Sequence, residues 1–429
     1  MKYGDMSSRE LEVVLETEQK RYEEYKSKNL KYDMTRGKPA AAQLALSDPM
    51  MSDDCLGDFK TTSGVDCRNY GILEGIPEIR TLFSQIFSVP AEQVIAGGNS
   101  SLNLMYDLVS AFLLLGTGNG AAAWSKQGTI KFLCPVPGYD RHFAITEKLG
   151  IEMINIKMLP DGPDMDAIEA LVKNDASIKG MWSVPKYSNP TGIVYSDAVV
   201  ERLARMECAA DDFRIFWDDA YTVHMLEGEP AKQRSLIQAC AEAGNPDRAL
   251  VFASTSKITY PGAGVAAVAS SPRNIEWLKG IYAIQTIGPN KINQLRHVKF
   301  LKDYDHLIAH MKKHAEIMRP KFRAVIEILE EELGGNGILT WSRPEGGYFI
   351  SVDTACHCAD RVVSMAKECG VQFTAAGATF PYGKDPENQN IRIAPSMPPI
   401  EDLREAIRVF CICVKICSAQ KLLEKYRRK

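Results

Sequence analysis

Residues 213–221 read FRIFWDDAY, and residues 249–257 read ALVFASTSK. Each opens with a short, nearly all-apolar run of the kind that forms a strand covered on both faces. Each then breaks into polar chemistry: Asp218, Asp219 and Tyr221 after the first, Ser254, Ser256 and Lys257 after the second. The same plan recurs upstream. QVIAGG (93–98), IKFLCP (130–135), IEMINI (151–156) and GMWSVP (180–185) read as strands. SLNLMYDLVSAFLLLG (101–116), DRHFAITEKLG (140–150), AIEALVKN (167–174) and DAVVERLARMECA (197–209) read as helices between them. This alternation predicts an α/β fold with a doubly wound, mostly parallel sheet and helices on both faces.

The ends of the chain have another character. Residues 7–30 predict an amphipathic helix, with Ser7 and Glu10 as a capping box. Residues 47–72 look irregular, and 291–334 charged and helical. TWSRPEGGYFISVD (340–353) reads as a strand pair, RVVSMAKECG (361–370) as a helix and QNIRIAPS (389–396) as a strand. EDLREAIRVFCICVKICS (401–418) closes as a helix. This is the pattern of a smaller α+β domain.

Composition narrows the function. The 429 residues carry a net charge of −3, which argues against a nucleic-acid or membrane-surface partner, since both need a basic stripe. No secretory signal or membrane-length apolar run is evident. Eleven cysteines without a signal predict a cytoplasmic protein with reduced thiols. Cys356-His357-Cys358 and Cys411-x-Cys413-x3-Cys417 lack the paired spacing of a zinc site; the latter predicts a cysteine-lined core. His306, His310 and His314 recur every four residues but lack an acidic HExxH partner. They read as a solvated or interdomain face.

In an open α/β sheet, ligands bind beyond the carboxyl ends of the strands. Gly97-Gly98-Asn99-Ser100-Ser101 follows one strand and opens a helix, a natural seat for an anion such as phosphate. Tyr139 follows another and can cover a flat ring. Asn189 precedes Pro190, which holds it out of helical geometry. Asp218 ends a buried strand and needs a cationic or N–H partner. Lys257 lies beside a strand end, where desolvation favours a nucleophilic amine. An arginine, Arg392, lies in a late strand. This ordered set matches what pyridoxal 5'-phosphate (PLP) needs: a phosphate seat, a ring cover, a carboxylate for the pyridine nitrogen and a lysine for the aldehyde.

The motifs RGKP, RNYGILEGIPEIR, GGNSSLNLMYD, PVPGYDRHF, PKYSNPTG, WDDAY, STSKITYPGAGVA, GPNKINQLRH, PEGGYF and IRIAPS span residues 36–396. In them the chain resembles fold-type I PLP-dependent aminotransferases, and among these a divergent bacterial aspartate aminotransferase subgroup (Ic). The resemblance implies that Lys257 bonds the cofactor, Asp218 meets its ring nitrogen, and Tyr221 and Asn189 meet its 3'-oxygen. It implies that Tyr139 stacks on the ring and that Gly98, Asn99, Ser100 and Ser254 hold the phosphate, with Ser256 in the same Ser-x-Ser-Lys run. Tyr70 resembles a tyrosine that reaches the neighbouring subunit's phosphate, which implies a homodimer with shared sites. Arg392 matches the arginine on the substrate α-carboxylate, and Gly37 the glycine beside it.

One departure stands out. Many members carry a phosphate-binding arginine seven or eight residues after the lysine, where this chain has Gly264 and Val265. Lys291 is the candidate replacement. The resemblance implies a large PLP domain over 46–310 and a small domain built from 1–45 and 311–429. It also implies ping-pong transfer between an L-amino acid, best taken as aspartate, and a 2-oxo acid, best taken as 2-oxoglutarate. Arg36, Lys38, Arg141 and Lys291 are candidates for a distal carboxylate. Aromatic, alanine or aminoadipate substrates, or a lyase of the same fold, stay open. A PLP-binding transcription regulator needs an added DNA-binding domain, and only about 35 residues precede RGKP, with no basic arm.

Overall fold

The computed structural model describes residues 2–428. Its centre is one eight-stranded sheet. Across it the strands run Val94–Ala96, Ala266–Ala269, Ala249–Ser254, Arg214–Asp218, Ile178–Ser183, Lys131–Val136, Glu152–Leu159 and Gly162–Pro163. The five in the middle, from Ala249–Ser254 to Glu152–Leu159, pair in parallel. Val94–Ala96, Ala266–Ala269 and Gly162–Pro163 pair antiparallel. The mostly parallel, helix-covered α/β sheet expected from the alternating pattern is therefore present.

Ile178–Ser183, Arg214–Asp218 and nearly all of Ala249–Ser254 are buried, which is why they read as apolar runs and not as alternating ones. Phe132, Trp182 and Phe216 pack as tilted rings and Phe216 stacks on Phe252, with centroids 4.9–5.9 Å apart. Gly180 is required there, because a Cβ at this position would sit 2.3 Å from the Phe132 ring.

The second unit is a three-stranded antiparallel sheet of Leu339–Trp341, Ile350–Thr354 and Asn390–Ile393. The first residues of the chain join it. Tyr32–Asp33 pairs in parallel with Val371–Gln372, and helix Ser8–Ser27 packs on the closing helix Ile400–Arg428. The Ser7–Glu10 capping box is present, with Glu10 N–H donating to Ser7 Oγ and Ser7 N–H to Glu10 Oε2. A buried cluster joins the termini: Lys415 Nζ lies 3.3 Å from Glu18 and 2.5 Å from Glu332, and Arg21 lies 3.0 Å from both carboxylates.

Cys411, Cys413 and Cys417 are buried on the closing helix, as expected of a cysteine-lined core. The histidine repeat lies on helix Tyr304–Leu333 and divides by environment. His306 is exposed and 2.7 Å from Asp303. His310 and His314 are buried, 3.1 Å apart, and lie against Ile258 O and Gln43 Nε2 respectively. Among the described residues, no helix is long and apolar enough to cross a membrane.

Candidate active site

The parallel strands end together, and the loops beyond them hold most of the residues singled out from the sequence. Asp218 is the last residue of its strand and is buried. Its Oδ2 lies 3.0 Å from His142 Nε2, while its Oδ1 has no partner among the described residues. His142 is itself sandwiched: its ring stacks on Trp182 at 4.5 Å and meets the Tyr139 ring edge-on at 4.9 Å. Burial pushes the Tyr139 hydroxyl up to about 12, with the nearby Lys257 charge pulling the other way.

Tyr221 follows within one turn and is also buried. Burial raises its hydroxyl well above the usual tyrosine range, and the Asp218 charge adds to this. It is therefore a neutral O–H at physiological pH. Lys257 Nζ lies 4.9 Å above the Tyr221 ring. Asp219 turns elsewhere, 3.5 Å from Lys186 Nζ, and burial raises its carboxyl.

Helix Ser101–Leu115 begins immediately after Ser100, whose side chain does not cap it, so its first N–H groups are open to an anion. The Ser254–Lys257 turn closes on this start. Ser254 Oγ donates to Ser256 Oγ, and Ser256 Oγ donates to Asn99 O, each at 3.1 Å. Gly264 packs into the same turn; a Cβ there would lie 3.0 Å from Ser256 Oγ and 3.2 Å from Asn99 O. A side chain there would have to push these neighbours back by a few tenths of an ångström. Lys291 is buried, and its amine donates to Gly71 O at 2.9 Å.

Arg392 reaches the site from the small sheet. It is buried, lies 4.8 Å over the Phe349 ring, and donates through Nη1 to Asn189 Oδ1 at 3.1 Å and Asp140 Oδ1 at 3.0 Å. Gly37 explains itself here: a Cβ would strike the Phe349 ring at 2.5 Å and displace the platform under Arg392. Arg36 and Lys38 are exposed, and Arg141 is half exposed with its Nε 4.0 Å from Asp140. Tyr70 stands apart from this cluster, 80% exposed.

Four further residues belong to this cluster. Asp140 and His142 sit in the first turn of helix Asp140–Lys148, beside Tyr139. The signal was their spacing, since Tyr139 and His142 are three apart and share a helix face. Phe349, under Arg392, lay inside the quoted PEGGYF run. His224 had no local signal. It is buried against Lys257 O at 3.3 Å, and burial, then Lys257 and His314, holds its imidazole down to about 3.

The family model for aspartate aminotransferase matches residues 6–426. The chain belongs to the aspartate aminotransferase family. Within that family it is 47% identical to an aspartate aminotransferase of Corynebacterium glutamicum, over 97% of this chain and 96% of the relative. It is 46% identical to a putative aminotransferase of Mycolicibacterium smegmatis, over 99% of both chains. The crystal structure of a C. glutamicum aspartate transaminase superposes with a TM-score of 0.96, covering 98% of this chain and 99% of that one. The family thus accounts for the whole described fold, including the small sheet that delivers Arg392.

Proposed function

We propose that this chain moves an amino group between L-aspartate and 2-oxoglutarate, using pyridoxal 5'-phosphate held on Lys257. The observation that carries the cofactor is the unpartnered Oδ1 of buried Asp218. A carboxylate oxygen buried without a donor is costly, and a protonated pyridine nitrogen is a donor of the right charge. The uncapped helix start at Ser100 and the Ser254–Ser256 hydroxyls suit the phosphate. Gly98 and Asn99 line the same turn. The residues present fit the group.

When bound, the cofactor supplies an electron-poor ring that accepts the electron pair left by the broken Cα–H bond. The protein does the rest. His142 holds Asp218 in place through Oδ2. Tyr221 O–H and the Asn189 amide serve the ring oxygen, and Tyr139 covers the ring face. Arg392 grips the α-carboxylate and fixes the Cα–H bond toward Lys257. The Lys257 amine would take the Cα proton and deliver it to the cofactor, which would keep the amino group until the second 2-oxo acid arrives. The 2-oxo acid product leaves, and a second 2-oxo acid enters the same site, which gives ping-pong kinetics.

The aspartate preference rests on the relatives. Arg36, Lys38, Arg141 and Lys291 are our candidates for the distal carboxylate; Lys291 is also our candidate for the phosphate. Competition among aspartate, glutamate, alanine, aromatic and aminoadipate donors tests the preference. Aspartate should dominate in kcat/KM, and an aromatic donor in first place would contradict the reading.

The surface supports a homodimer. Ile284 is 91% exposed, Leu114 72% and Ile287 63%, an apolar display that a lone subunit would leave in water. Tyr70 would then serve the partner's site. The division into a 46–310 domain and a 1–45 plus 311–429 domain fits the pairing of Tyr32–Asp33 with Val371–Gln372. Eleven free thiols suit the reducing cytoplasm.

A further inference from the structure

Arg392 already holds a carboxylate of its own chain. Asp140 Oδ1 lies 3.0 Å from its Nη1, and Asn189 Oδ1 lies 3.1 Å from the same nitrogen. Nη1 carries two hydrogens, so these two acceptors use both. Among the described residues, Nε is buried with no partner, and Nη2 meets only Thr374 Oγ1 at 3.5 Å. Asp140 and Asn189 thus fill Nη1, while the Nε–Nη2 edge keeps the capacity for a second, bidentate carboxylate whose attraction the Asp140 charge weakens.

The two occupants of Nη1 differ in freedom. Asn189 is 2% exposed and locked in the core. The Asp140 side chain is 32% exposed in the opening turn of its helix. Its second oxygen lies 4.0 Å from the Nε of Arg141, a side chain that is 50% exposed. Asp140 thus has a second cation to move to when it leaves Arg392.

We propose that Asp140 is an internal competitor for the substrate α-carboxylate. In the free protein its carboxylate neutralises Arg392 and holds the guanidinium in place. An incoming α-carboxylate meets a guanidinium whose charge Asp140 already shares, and Asp140 swings toward Arg141 as it binds. The displacement taxes every carboxylate ligand alike, so it sets affinity and product release more than chemistry. The proposal rests on the assignment of Arg392 to the α-carboxylate given above.

The experiment is a calorimetric titration of holoenzyme with succinate, a dicarboxylate with no amino or oxo group to react. Asp140→Asn keeps the size and one acceptor oxygen but removes the charge. Succinate should then bind about five-fold tighter, and KM for aspartate should fall by a similar factor. Asp140→Glu, which keeps the charge, should stay near wild type and guards against a trivial folding effect. Unchanged or weaker binding in Asp140→Asn would overturn the proposal and leave Asp140 as a mere support for Arg392. Arg392→Lys in the same titration separates the two claims. Binding weakened there without tightening in Asp140→Asn defeats the competitor alone, whereas unchanged binding in Arg392→Lys defeats both.

Discussion

His142 Nε2 sits 3.0 Å from Asp218 Oδ2, and this one contact fixes a buried carboxylate with its other oxygen free. Asp218→Asn keeps the shape but loses the charge that, in the function proposed above, faces a protonated ring nitrogen. It should lower kcat by about 10³-fold. His142→Ala leaves Asp218 charged but unheld, and should cost about tenfold in kcat. Comparable losses in the two variants would contradict the division of labour between them. Steady-state kinetics on both settles the point.

The buried histidines predict an acid-labile fold. Burial holds His224 and His314 down to about 3 and His297 to about 4, against an ordinary value near 6.5. As pH falls below about 6.5, the unfolded chain gains protons that the folded chain refuses. Stability is therefore full above about 6.5 and is lost on the way down, by up to about 1.4 kcal/mol per pH unit for each group. Carboxylates held low, such as Asp175 at about 2, add to the loss nearer pH 4, and buried Asp219 and Asp353, whose carboxyls are raised, oppose it, so the first drop between about 7.5 and 6 reports the histidines most directly. Urea midpoints at pH 7.5, 6 and 5 should drop steadily. A flat profile would show that these imidazoles accept protons in the folded state.

Much of this was legible beforehand, for physical reasons. Strands buried on both faces announce themselves as apolar runs, so Arg214–Asp218 and Ala249–Ser254 could be read directly. Their carboxyl ends point at the site, which made Asp218 and Lys257 stand out. What escaped were partners that meet only in three dimensions. Asp140 touches Arg392 across 252 residues of sequence, and no local pattern encodes that pairing. The histidine repeat hid a split as well. Period-four spacing gives one helix face, yet that face runs from solvent at His306 into the core at His314.

Lys415 ties the two ends of the chain together through Glu18 and Glu332. Lys415→Ala leaves two buried carboxylates with only Arg21 between them. Stability should fall by about 3 kcal/mol, because an uncompensated buried charge is expensive. Denaturant unfolding measures this, and a change under about 0.5 kcal/mol would mean that water or Arg21 already screens the pair.

Tyr70 is 80% exposed in the single chain, and its proposed place is the partner's site. Tyr70→Ala and Lys257→Ala should each be impaired alone. Mixed and refolded together in equal amounts, about half of the dimers carry one lesion per subunit, with one intact site each. Activity should recover to about a quarter of wild type per site. No recovery, with mixed dimers present, would place Tyr70 in its own subunit's site.

The most direct test of the account is a single half-reaction. Purified holoenzyme is mixed with excess aspartate and no 2-oxo acid, and the oxaloacetate released is counted against subunits. One oxaloacetate per subunit should appear, with loss of the cofactor's visible absorbance, and 2-oxoglutarate should then restore the absorbance. Lys257→Ala should release none. Release by Lys257→Ala at the wild-type rate, or no release by the wild type, would contradict the central claim.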